Sequence, residues 1–235
     1  MKIKAIRTRL FEEGENLEGF ISEHIPQLTD GSILAVTSKI VALAERRTAA
    51  TTEKEKLILE ESEWAVPTKY VWLTIKDGIV MAAAGIDESN AQWKIILMPK
   101  DSFTAATRLR KVLLKRYNIK HLGVLITDSR VLPLRAGVVG VALGYAGFRG
   151  IKDYRGTPDL FGRELKMTRI DIADALATAA VLLMGEGRER KPLAIIEKAP
   201  VEFRDRINRQ ELVISPSDDL YFPLLGKLDF KKKKS

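Results

Sequence analysis

Short apolar runs alternate with helically spaced apolar stripes along this chain, the pattern of an α/β protein. Ser32-Ile-Leu-Ala-Val-Thr37 follows an Asp30-Gly31 turn signal and predicts a strand. It runs directly into residues 38–45, where Ile40, Val41 and Ala44 recur at helical spacing. Residues 49–66 are polar and acid-rich and predict a loop with a short surface helix. Two strands are expected at 70–75 and 79–84, joined through Lys76-Asp77-Gly78 as a hairpin. Ser102 is expected to cap a helix over 103–117, whose apolar stripe is Phe103, Ala106, Leu109, Leu113, Leu114 and Tyr117. Residues 122–128 read as a buried strand ending in a carboxylate, and 138–143 as a second β-like run. The chain from 144 to 162 is glycine-rich and predicts irregular structure. A strong alanine- and leucine-rich helix is expected over 171–184, stopped by Gly185, and residues 193–197 form a last core strand. A loop over 215–219 leads to a C-terminal arm. No repeat or linker interrupts the pattern. The expected organisation is one mixed α/β (α+β) domain over 1–200, an arm over 201–230 packed on it, and a disordered tail at 231–235.

Composition narrows the chemistry. The absence of cysteine removes disulfides, zinc ribbons, iron–sulfur clusters and thiol nucleophiles. His24 and His121 stand alone, which argues against a histidine metal site. No apolar run reaches the roughly 18 residues that span a bilayer, so a cytoplasmic protein without membrane contact is expected. The net charge is +8, and the four lysines Lys231 to Lys234 account for half of it. The remaining excess suits a binder of phosphates or other anions as well as an ordinary basic surface. With no aromatic-interleaved basic strand, nucleic acid is not an expected partner.

The familiar nucleotide motifs are absent: there is no GxxxxGK[ST], and Gly144, Gly147 and Gly150 do not make GxGxxG. What stands out is a set of acids at the ends of apolar elements. Asp87, in Gly85-Ile-Asp-Glu-Ser-Asn90, follows a strand; Asp128, beside Ser129, ends another; Glu186 lies just past the long helix. An acid at a helix C-terminus is unfavourable by a few tenths to about 1 kcal/mol unless a cation offsets it. Such oxygen donors suit magnesium or manganese beside nucleotide phosphates, and each alone also reads as a solvated loop acid.

Five segments in order carry a specific resemblance: Ala84-Gly-Ile-Asp-Glu-Ser-Asn90, Gly123-Val-Leu-Ile-Thr-Asp128, Arg135-Ala-Gly-Val-Val-Gly-Val-Ala-Leu-Gly144, Asp159-Leu-Phe-Gly-Arg-Glu-Leu165 and Leu183-Met-Gly-Glu-Gly187. Together they resemble the γ-glutamyl ligases that add glutamate to the deazaflavin coenzyme F(420) precursor, with weaker similarity at 33–47 and 59–62. The resemblance implies the ligases' own mixed-sheet fold, a homodimer, GTP as co-substrate (or ATP) and Mg2+ or Mn2+. It implies that Asp87 and Asp128 hold one metal and that Ser129 and Glu186 help hold a second, so that Asp87, Asp128 and Glu186 act in catalysis through metal. Asn90, Ser38, Lys39, Arg9, Leu10, Phe11, Glu12, Met184, Gly185, Gly187 and Arg188 would contact the nucleotide. The implied reaction joins a substrate carboxylate to the α-amine of L-glutamate through an acyl phosphate. A divergent branch that elongates folate resembles this chain as well, and a catalytically idle anion-binding relative is the reading from another class.

The chain departs from the family pattern at four places. Leu43 stands where a nucleotide-binding lysine is common, Ser129-Arg-Val-Leu132 follows the metal aspartate, Arg188-Glu-Arg-Lys191 replaces an acidic glycine-rich stretch, and Arg9-Leu-Phe-Glu12 replaces a proline-containing segment. Lys39 and Arg130 are placed to supply the missing positive charge. Arg135 reads equally as a bidentate fork for a substrate carboxylate and as a structural residue. Arg163 and Glu164 match a family motif and read equally as a buried structural ion pair at a helix entrance, and Trp64, Trp72 and Trp93 read as ring-stacking residues or, more commonly, as core or interface residues.

Overall fold

The structure is a computed structural model that describes residues 1–225. Its centre is a five-stranded sheet in the order β1-β12-β2-β8-β9, built from Lys2–Ile6, Leu193–Glu197, Ser32–Thr37, Leu122–Val131 and Val138–Ala146. The sheet is mixed: β2 and β8 run parallel, and every other neighbour is antiparallel. Strand β2 is buried on both faces, which explains its uninterrupted apolar run. Its side chains alternate between two cores. Leu34 and Val36 face α1 (Leu17–His24), α2 (Ser38–Ala44) and α4 (Ser102–Tyr117), whereas Ile33 and Ala35 face α5 (Ile172–Met184).

Close approach of the helices depends on two glycines. A Cβ on Gly140 of β9 would lie 2.5 Å from the Ala177 carbonyl oxygen of α5, and one on Gly144 would lie 2.5 Å from the Phe103 nitrogen of α4. The sheet is therefore clamped on both faces at β9.

A smaller unit sits at one end of this sheet. It holds β3 (Thr48–Ala50) paired with β7 (Lys94–Ile96), α3 (Lys54–Glu61), and the meander β4 (Trp64–Pro67), β5 (Trp72–Lys76), β6 (Ile79–Ala82). The β5–β6 turn closes over Asp77 and Gly78, both at positive φ (51° and 74°), the mirror-type turn that matches strand twist. Ile58, Ala83, Ile86, Ile95 and Leu97 form its own core.

Several expectations are corrected. Asp101, not Ser102, caps α4: its carboxylate accepts from the Thr104 N–H at 2.9 Å. The strand expected at 79–84 stops at Ala82, and Ala83 to Gly85 turn left-handed with φ of 49°, 53° and 71°. The region 144–162 is not wholly irregular, because β9 continues to Ala146 and β10 (Ile151–Asp153) pairs with β11 (Arg169–Asp171). Residues 49–66 hold α3 as expected, with flanking strands besides.

Of the C-terminal arm, Val201, Phe203, Ile207 and Leu212 pack on the α5 core, and α6 (Phe222–Leu225) closes the described chain. The rest of the arm and the tail at 231–235 lie outside the described residues. Among the described residues no helix is long and apolar enough to cross a membrane.

Candidate active site

The site lies where the parallel pair ends. Thr37 is the last residue of β2 and pairs with Thr127 of β8, so Ser38 and Asp128 leave that line side by side. Ligands of α/β sheets gather at such carboxyl edges. From there β8 runs on with β9 alone, through Asp128↔Val141 to Val131↔Val138. The β6 edge of the smaller unit rests on this extension through Arg130 Nη1, which donates to the Val80 carbonyl at 3.3 Å.

Three further segments close a cavity of about 390 Å3 around this point. The left-handed turn at 83–85 brings Asp87 and Asn90 in from the smaller unit. Gly185, at φ 82°, ends α5 and turns Glu186 and Gly187 inward. The segment from Thr8 to Phe11 follows β1 and is tied across to residues 188–192 by Thr8 N–H donating to the Arg190 carbonyl at 2.9 Å.

The polar contacts inside are specific. Lys39 Nζ lies 2.6 Å from Asp87 Oδ2 and also donates to the Ser89 carbonyl at 2.9 Å. Ser89 holds the same carboxylate from the other side, its N–H at 2.7 Å and its hydroxyl at 2.8 Å. Across the cavity Ser129 Oγ donates to Glu186 Oε2 at 3.1 Å, and Asn90 Nδ2 to the Gly187 carbonyl at 3.4 Å.

Two neighbouring aspartates are pushed in opposite directions. Burial is the largest influence on Asp87 and pushes it up, but the bond and charge of Lys39 together with the two Ser89 hydrogen bonds outweigh it and hold Asp87 below the usual carboxylate range. Burial raises Asp128 and is offset only in part by Arg130, whose Nη2 is 4.0 Å away; the negative charges of Asp87 and Glu186 raise it further. Arg130 is itself buried, and its Nε and Nη2 have no hydrogen-bond partner among the described residues.

Nearly every residue expected at the site lines this one cavity: Arg9, Leu10, Phe11, Ser38, Lys39, Asp87, Asn90, Asp128, Ser129, Met184, Gly185, Glu186, Gly187 and Arg188. Glu12 lies beside it without lining it, and Arg135 sits in the exposed β8–β9 connection away from it. The Arg9 guanidinium is occupied by Glu15 and Glu23 and packs over Phe20. Leu43 lines the cavity as an apolar wall. Among the described residues, no three acidic or imidazole side chains converge as a ready-made cation site. Sequence reading missed Thr8 and Ser89, which also line the cavity, whereas Glu189 and Arg190 belong to the segment 184–191 that the resemblance places at the nucleotide. The spacing Asp87-x-Ser89 of an Asx-type turn was the one available signal for Ser89.

The fold is a mixed α/β one whose parallel edge gathers hard oxygen donors and a lysine around a small-molecule-sized cavity. The chain belongs to the coenzyme F(420)-0:gamma-glutamyl ligase family, whose sequence model matches residues 49–198. It is 40% identical over 171 residues to a coenzyme F(420):L-glutamate ligase of Methanococcus maripaludis, covering 72% of this chain and 68% of that one. It is 33% identical to the protein of that name from Methanopyrus kandleri, covering 91% and 94% of the two chains. The one from Methanocaldococcus jannaschii is 31% identical, over 94% and 96%.

Proposed function

We propose that the chain is a nucleoside-triphosphate-dependent γ-glutamyl ligase that joins L-glutamate to a carboxylate of a deazaflavin F(420)-type acceptor. The relatives' names supply the acceptor class. The observation that carries the reading is the meeting of Asp87, Asp128, Ser129 and Glu186 with Lys39 and Asn90 in one cavity, from four separate parts of the chain.

The donor types fit a divalent cation: three carboxylates and a hydroxyl, all hard oxygens, and Asp128 is raised by burial first and by the charges of Asp87 and Glu186 after it. Asp87, Asp128, Ser129 and Glu186 would hold Mg2+ or Mn2+, which neutralises phosphate charge when bound. Lys39 then leaves Asp87 for a phosphate oxygen, since its ammonium is the flexible partner. Asn90 and Ser38 orient the nucleotide, GTP or ATP, and Arg188, Arg190 and Lys191 give the rim its positive charge. An acceptor carboxylate oxygen attacks the γ-phosphorus and the nucleoside diphosphate leaves. The glutamate amine then attacks the acyl carbon of the mixed anhydride, inorganic phosphate departs, and the amine loses a proton.

The reading also takes the enzyme as a homodimer. The outer face of the β4–β6 meander, with Val66, Val71, Leu73 and Val80 exposed, is the surface offered to the second copy. Sedimentation equilibrium of the parent and of Leu73→Glu tests this, with dimer expected only for the parent.

The test of function supplies glutamate, manganese and GTP or ATP with the F(420) precursor, and with folate in parallel. Mass spectrometry is expected to find the precursor heavier by one glutamyl unit. If neither acceptor gains that increment beside a working control ligase, the reading fails. If folate alone gains it, the acceptor is wrong and the chemistry stands.

A further inference from the structure

A second cavity, of about 400 Å3, opens at the other end of α5. Its wall is formed by β10, β11 and the first part of the C-terminal arm. Five arginines line it, Arg149, Arg155, Arg169, Arg204 and Arg206, against two carboxylates, Asp153 and Glu211.

The charges there do not cancel. Arg155 is paired with Asp153 at 2.6 Å, and Arg149 and Arg204 share one acid, Glu202, at 3.6 and 2.7 Å. Glu211 is turned inward, where one oxygen accepts from the Tyr145 hydroxyl at 2.6 Å and from the Gly150 N–H at 2.7 Å. Arg169 and Arg206 have no ion-pair partner among the described residues, and both are exposed. Asn208 adds donors, since its carbonyl oxygen accepts from the Gln210 N–H at 3.0 Å and leaves its NH2 free of that bond. Planar guanidinium forks arranged around a concave site match the oxyanions of phosphates and carboxylates.

We propose that this cavity is a second anion site, taking a small molecule with closely spaced oxyanions. It is distinct from the active cavity. The intervening helix has 13 residues, so about 20 Å separates the two, more than a pyrophosphate spans. The linings differ as well: the active cavity interleaves Arg9, Lys39 and the basic rim with Asp87, Asp128, Glu186 and Glu189, while this one sets five arginines against two carboxylates. Phosphate-bearing and carboxylate-bearing ligands share the required chemistry, and the test separates them.

Isothermal titration of the full chain, in buffer with chelator and no divalent metal, uses pyrophosphate in one arm and triglutamate in another. One site per chain is expected in at least one arm, and the arm that binds names the source. Arg169→Gln/Arg206→Gln is expected to abolish that binding, and each single change to weaken it roughly tenfold, as loss of one charge-assisted bond implies. Lys39→Ala, which alters only the active cavity, should leave it unchanged. The single variants keep the proposal falsifiable should the double variant misfold. Binding in neither arm overturns it, as does binding that survives both single arginine changes or is lost with Lys39→Ala.

Discussion

Lys39 and Asp128 show how individual side chains prepare the cavity before any ligand arrives. The ammonium on Asp87 satisfies a half-buried carboxylate, so Asp87 stays ionised and ready. Lys39→Ala removes both this partner and the phosphate contact proposed for it. Nucleotide affinity is expected to fall roughly ten- to a hundredfold, the cost of a charge-assisted hydrogen bond of about 1.5–3 kcal/mol, with little change in melting. Equilibrium binding of a fluorescent GTP analogue measures the first and calorimetry the second. Asp128→Asn is expected to abolish glutamate transfer while leaving the ligand-free fold as stable as the parent or more so, because ionised Asp128 is the form that burial disfavours. Manganese with GTP should then raise the melting temperature of the parent alone. A variant that melts lower in every buffer would make Asp128 a structural residue.

Helix α5 runs between the two cavities, and its start and its middle can each be tested. At its start Asp171 accepts from the Asp174 N–H at 2.9 Å, yet burial, with Asp174 and Glu211 nearby, pushes it up to about 6. An acid whose folded pKa exceeds its unfolded value gives its full stability below the unfolded value and loses it as pH rises through the folded one. The parent should therefore lose about 2–3 kcal/mol from this group between pH 4 and 7. Asp171→Asn keeps the cap and removes the charge, so its urea midpoint should fall less across the same range. Midway along α5, Gly140→Ala forces a methyl against the Ala177 carbonyl and should cost about 1–3 kcal/mol in urea unfolding. Other elements were legible to varying degrees. Strands β2 and β12 and helices α4 and α5 stand out because burial on one or both faces writes itself into the apolar pattern. In β1 the lysines of Lys2-Ile-Lys-Ala-Ile6 dilute the apolar pattern, and in α1 the signal is confined to the Asn16 cap and the stripe Leu17, Phe20 and Ile21, so neither stood out. Strands β10 and β11 were not legible, since their residues are mostly exposed and hydrogen bonding alone pairs them.

At the scale of the molecule, motif order located Asp87, Asp128 and Glu186, but only topology could place Thr8 beside them, tied to Arg190. That placement comes from β12, which fits between β1 and β2 and so brings both chain regions to the cavity wall. The same insertion governs how the protein is made. During synthesis β1 leaves the ribosome long before β12, and β2 must wait as long for its second neighbour. Until residues 193–197 emerge, the nascent chain carries two unpaired strand edges, the exposure that chaperones answer. Pairing across such a sequence distance makes closure of the sheet late and slow. A chain cut after Pro192 should stay expanded and aggregate, whereas the full chain should refold from urea with its cavity forming in the slowest phase. Stopped-flow binding of a nucleotide analogue during refolding reads that order directly, and binding competence that appears with the first burst of secondary structure would refute it.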